Sequence, residues 1–166
     1  MMRTAVVPMI AACGVVLNAY SARGVEPAGP TILGTFGAWT AGMYRRGQED
    51  ACYAFTLTTK SSRRPGKHRV GMITVSKRKG RAAGVVLSPG VPYPKAASTS
   101  LHVGRRGFAF STAHNSAFAQ DSPAVIEALA HGLTARTRRP GPTHHLERFD
   151  LRGFTQAYDA VTTACP

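Results

Sequence analysis

Most residues in this chain that could do chemistry are cations. Between positions 51 and 120 there are twelve Lys or Arg and no Asp or Glu. They include Arg63, Arg64, Lys67, the run Lys77-Arg78-Lys79 with Arg81, and the pair Arg105-Arg106. Over the whole chain 21 Lys and Arg face 8 acids, a formal net charge of +13. A field of one sign attracts polyanions, so the expected partners are an anionic glycan, lipopolysaccharide or a membrane surface. Nucleic acid is disfavoured, because no recognition module is present. A charged surface that serves only solubility is the competing reading, and a protein partner met through an exposed strand edge is another.

The ingredients of catalysis are sparse. His144-His145 is the one histidine cluster, and neighbours on a strand point to opposite faces. With no carboxylate or cysteine at ligand spacing, no metal site is expected there or at His114 or His131. No G-x-S-x-G occurs, the basic middle offers no carboxylate pair, and Gly104 to Gly107 reads as a turn rather than a phosphate cradle. The expectation is a non-enzymatic protein with no cofactor. An enzyme would have to gather Asp121, Glu127, His114 or His131 in a cleft. Trp39 and Tyr44, at strand spacing, read as packing residues.

The start of the chain bears on where such chemistry would take place. Met1-Met2-Arg3 precedes an apolar run from Thr4 to Asn18 and the small-residue stretch Ala19 to Ala22, the three parts of a secretory signal peptide. Residues 1–22 are therefore read as removed on export to the periplasm or beyond. Ile10-Ala11-Ala12-Cys13 also resembles a lipoprotein cleavage box, an alternative that would lipidate Cys13. Without Cys13 the mature chain keeps Cys52 and Cys165. In an oxidising compartment such a pair is most simply one disulfide, closing most of the chain into a loop.

The elements that must position these residues follow period two. Phe36 to Tyr44 and Cys52 to Thr58 read as strands joined by a polar turn from Arg45 to Asp50. Arg69 to Ser76 and Ala82 to Leu87 read as a hairpin, as do Leu101 to Val103 and Gly107 to Ser111, with further strands at Leu133 to Arg138 and Leu146 to Leu151. Two short helices are expected, near 122–132 with Ser122 as cap and Pro123 in the first turn, and near 153–164 after Gly153. The fold class is all-β, mainly an antiparallel sandwich or barrel. Residues 23–33 form an N-terminal leader and 34–166 a single β domain.

Read as motifs, these segments resemble the invasion-associated locus B family of exported bacterial proteins. The likeness runs from Phe36-Gly37-Ala38-Trp39 and Cys52-Tyr53-Ala54 through Val70 to Val75, Gly90 to Pro94 and Phe108 to Thr112. It continues through Ile126 to Gly132 and closes on Phe149-Asp150-Leu151-Arg152-Gly153-Phe154 to Ala160 with the late Cys165. The resemblance implies a compact, β-sandwich-like exported protein without cofactor or established catalytic residues, and points to host-cell interaction. Two departures from the family pattern are Arg136 to Thr143, where relatives carry a small polar turn, and Phe118, where they carry a Trp.

Overall fold

The computed structural model describes residues 29–46, 49–61, 70–89, 93–94, 97–139 and 145–166. The export signal read at 1–22, together with Arg63, Arg64, Lys67 and His144, lies outside them. The described strands are β1 (Thr31–Phe36), β2 (Trp39–Arg46), β3 (Glu49–Ser61), β4 (Met72–Arg78), β5 (Gly84–Ser88), β6 (Ser98–Val103), β7 (Arg106–Ala113), β8 (Ser116–Ala119), β9 (Thr134–Arg139) and β10 (His145–Asp150). Helix α1 (Ser122–His131) follows β8, and α2 (Phe154–Ala164) follows β10.

Eight of these strands close a barrel in the order β3-β10-β9-β6-β7-β8-β5-β4, with β4 returning to β3. All pairings are antiparallel. Closure pairs both sides of each of these eight strands, leaving no open edge within the ring. It works because β3 is long enough to serve three partners. Its residues Glu49 to Phe55 pair with β2, Ala51 to Leu57 with β4, and Thr58 to Ser61 with β10. Alternation then sends one side of each strand inward. Ile73 and Val75, Val85 and Leu87, Leu101 and Val103, and Ala135 and Phe149 form the buried core.

The β1–β2 hairpin extends the sheet outside the barrel, and α2 packs across β1, β2, β3 and β4. Phe154, Ala157 and Val161 are its buried face, and the Phe154 ring meets Trp39 edge-on at 4.8 Å. Two glycines make the junction possible. Gly37 and Gly153 both take positive φ, +56° and +92°, a region open to glycine at little cost. Between them the Ala38 N–H donates to the Arg152 carbonyl at 3.0 Å. A Cβ on Gly153 would run into the Phe36 carbonyl. At the far end of α2, Cys165 is bonded to Cys52 of β3 across a Cα separation of 6.0 Å. The Lys77 ammonium caps this corner by donating to the Cys165 carbonyl at 2.6 Å.

Several elements differ from the sequence reading. The strand expected over 36–44 is broken at Gly37-Ala38 into β1 and β2, and β1 begins at Thr31, inside the stretch read as leader. The expected 45–50 turn is shorter, since β2 runs to Arg46 and β3 starts at Glu49. Strand β8 was not expected, because four residues are too few for period two to register. The cap of α1 is Asp121 rather than Ser122: its carboxylate accepts from the Ala124 N–H at 3.1 Å. The Ser122 hydroxyl instead accepts from the Val85 N–H, tying α1 to β5.

The disulfide joins residues 113 positions apart, so reducing it should lower the unfolding free energy by about 4 to 5 kcal/mol in the chain-entropy model. Urea unfolding with and without reductant checks this. Gly153→Ala should cost about 2 to 3 kcal/mol through backbone strain and the carbonyl clash, read as a lower urea midpoint with the barrel's spectroscopic signature retained.

Candidate anion-binding face

Strands β9 and β10 read Thr-Ala-Arg-Thr-Arg-Arg and His-Leu-Glu-Arg-Phe-Asp. Burying Ala135, Thr137, Glu147 and Phe149 turns Arg136, Arg138, Leu146 and Arg148 outward, where all four are exposed. The register aligns them in two rows. Arg136 lies between His102 of β6 and Arg148 of β10, and Arg138 lies between Ser100 and Leu146. With strands about 4.8 Å apart, the first row gathers three basic side chains over about 10 Å of surface.

Local structure holds this face in place. The β3–β10 pairing slips between Arg148, which opposes Lys60, and Phe149, which opposes Thr58. The Arg148 carbonyl freed by this bulge accepts from the Thr58 and Thr59 hydroxyls at 3.0 and 3.1 Å. On β6, His102 Nε2 lies 3.0 Å from Ser100 Oγ. Its ring sits over Gly107, where a Cβ would come within 3.0 Å of Cε1. A groove of ≈ 280 Å³ runs between these strands, lined by His102, Gly104, Arg136, Thr137, Arg138 and Leu146.

Most of the described acids are committed to other partners. Arg45 bonds Asp50 at 2.8 Å, Arg78 approaches Glu49 at 3.8 Å, and Arg106 approaches Glu127 at 3.5 Å. The Arg152 guanidinium and backbone N–H both bond Asp150. Glu147, the acid on these strands nearest the row, faces the interior. There it accepts from the Thr137 hydroxyl at 3.3 Å and lies against Gly71, where a Cβ would fall 2.6 Å from Oε1. Among the described residues no carboxylate pairs with Arg136, Arg138 or Arg148. Hydrogen bonds from Arg152 hold the Asp150 carboxyl below its ordinary range, and Arg45 does the same to Asp50. Burial pushes the Tyr158 hydroxyl up.

The described cations singled out from sequence, Lys77, Arg78, Lys79, Arg81, Arg105 and Arg106, do not lie on β9 or β10. Lys77, Arg78, Lys79 and Arg81 sit at the β4–β5 turn. There Tyr44, Lys77, Arg78 and Arg81 line a second groove of ≈ 270 Å³. Arg105 and Arg106 sit at the β6–β7 turn, Arg106 lying 5.3 Å over the Phe108 ring. The two turns share one end of the barrel but are separated by β8 and α1. Sequence reasoning missed His102, Arg136, Arg138 and Arg148 as a set. The signal was there: alternation in R-T-R on one expected strand and in L-E-R on the next sends Arg136 and Arg138 to one side of the first and Arg148 away from Glu147 on the second.

The residues available to an enzyme are dispersed. Asp121 caps α1, Glu127 pairs with Arg106, His114 lies in the β7–β8 turn at φ +53°, and His131 ends α1. Neither groove is lined by any of them. Among the described residues no three His, Cys, Asp or Glu come together as a metal site. Trp39 is fully buried, while Tyr44 is exposed and tilted against Tyr53 at 6.0 Å.

Searched against family models and curated proteins, the sequence finds no match. A solved structure does correspond, the crystal structure of invasion associated protein b from Bartonella henselae. It aligns with 79% of this chain and 96% of its own, at a TM-score of 0.56 and 14% identity. The chain has that protein's fold. The likeness is one of architecture, in line with the family resemblance carried by the segments from Phe36 to Cys165.

Because the Asp150 carboxyl titrates below its ordinary value of 3.8, its stabilising effect is complete above that value and is lost as the pH falls through the lowered folded one. Asp150→Asn should therefore be less stable than the parent near neutral pH and lose less on acidification. Urea midpoints taken from about pH 6 down to about pH 2 span the window in which the two profiles converge.

Proposed function

We propose that the protein is an exported, non-enzymatic β-barrel of the invasion-associated locus B type, whose β9–β10 outer face binds an anionic partner on the cell envelope or a host surface. The observation that carries this reading is that Arg136, Arg138 and Arg148 share one outer face with no carboxylate paired to them among the described residues. Like charges directly opposite one another across strands destabilise a sheet, and here Arg136 opposes Arg148 with no described carboxylate beside them. Oxyanions of a partner would relieve that repulsion.

Export is supported by the leader pattern at 1–22 and by the Cys52–Cys165 bond, since such bonds persist in oxidising compartments. No described helix is long and apolar enough to cross a membrane. The barrel has an apolar core and arginines outside, the reverse of a lipid-facing barrel. The related fold belongs to a protein named for invasion, which fits a surface-directed partner.

Retention on heparin across a salt gradient tests the reading. The triple variant R136E/R138E/R148E should elute at much lower salt than the parent. R78E/K79E/R81E, with the same change in net charge, should elute later than that variant. Equal loss in both would mean diffuse charge and would overturn the assignment of the face.

A further inference from the structure

The groove on this face has features that a diffuse cationic surface lacks. Its mouth is framed by two guanidinium groups, Arg136 and Arg138, two positions apart on one strand. A planar guanidinium presents paired donors that match the oxygens of phosphate or sulfate. On β6, opposite Arg136, the His102 ring is held through Nε2 by the Ser100 hydroxyl and lies over Gly107, which fixes an imidazole beside the arginines. On the β10 side Leu146, 48% exposed, offers an apolar wall. At the lip, Gly104 has open space where a Cβ would be. The volume of ≈ 280 Å³ sits at the small end of ligand pockets, which run from about 300 Å³ upward. It is roomier than a bare oxyanion requires and suits one sugar ring.

We propose that this groove is a binding site for a single phosphate or sulfate ester carried on a saccharide, with Arg136, Arg138 and His102 holding the ester oxygens and Leu146 packing against the ring. The site rests on the anion-binding reading above and narrows it from a charged face to one ligand chemistry. Such esters occur on the phosphorylated sugars of bacterial lipids and on sulfated glycans, and the two sources differ in the ester they carry.

The test is calorimetric titration of the disulfide-bonded protein with glucosamine 6-phosphate, glucosamine 6-sulfate, unmodified glucosamine and inorganic phosphate. One or both esters should bind, unmodified glucosamine should not, and inorganic phosphate should bind more weakly than the esters. A preference for phosphate or for sulfate identifies the source. Arg136→Gln and Arg138→Gln should each weaken ester binding by about tenfold or more, as expected for a lost charge-assisted contact. Lys79→Gln should leave it unchanged. Histidine ring signals of the unmutated protein supply a readout that needs no variant: His102 should shift on ester titration while His114 and His131 stay put. Ester binding no tighter than inorganic phosphate, or insensitive to both arginines, would mean an adventitious ion only and would overturn the site. Heparin retention that still depends on Arg136, Arg138 and Arg148 would then leave the broader reading standing. Loss of that dependence would remove both.

Discussion

Barrel closure through β3 is the constraint on which the other features rest. One strand of thirteen residues carries β2 and then β10 along one edge and β4 along the other. Closing the ring fixes the register of every strand, and register fixes facing: a slip of one residue moves a strand's whole side-chain set to the opposite side. In β9 such a slip would drive Arg136 and Arg138 into the core and expose Ala135 and Thr137. The cationic face is therefore a consequence of the same pairing that buries Leu101, Phe149 and Val75. The bulge where β10 leaves β3 lies at Arg148, at the end of that face, a common place for a bulge to re-aim a side chain.

A chain with a formal charge of +13 repels itself when compact, so the outer arginines must be carried by stabilisation made elsewhere. Much of it gathers around α2. The helix is entered through the Gly37–Gly153 backbone contact, packs Phe154 on Trp39, and is tied at its exit by Cys165 to Cys52. Lys77 spends its charge there on the Cys165 carbonyl, and Arg152 spends its own on Asp150. Lys77, Arg78, Arg106 and Arg152 thus have polar partners, whereas among the described residues no carboxylate pairs with Arg136, Arg138 or Arg148.

Much of the fold was legible in the sequence. The hairpins at β4–β5 and β6–β7, the strands β9 and β10, both helices and the disulfide follow from alternation, apolar spacing and the pairing of two cysteines. Elements escaped where local signals were weak or shared: β8 is too short for a period, and Gly37 splits a run whose composition is uniformly strand-like. Asp121 outcompeted Ser122 as cap because the serine is drawn to Val85 on β5, a tertiary contact invisible in sequence. The candidate site was missed for a different reason. Runs of basic residues draw the eye to turns, as at Lys77 to Arg81. Cations spaced two apart on separate strands become one surface only once β6, β9 and β10 are known to be neighbours.

The most direct measurement is an amide NMR map of the isotope-labelled, disulfide-bonded domain titrated with a heparin-derived oligosaccharide. The account predicts shifts concentrated on Ser100 to Gly104, Arg136 to Arg138 and Leu146 to Arg148, with the turn at Lys77 to Arg81 little affected. Shifts centred on that turn, or spread evenly over the barrel, would contradict it.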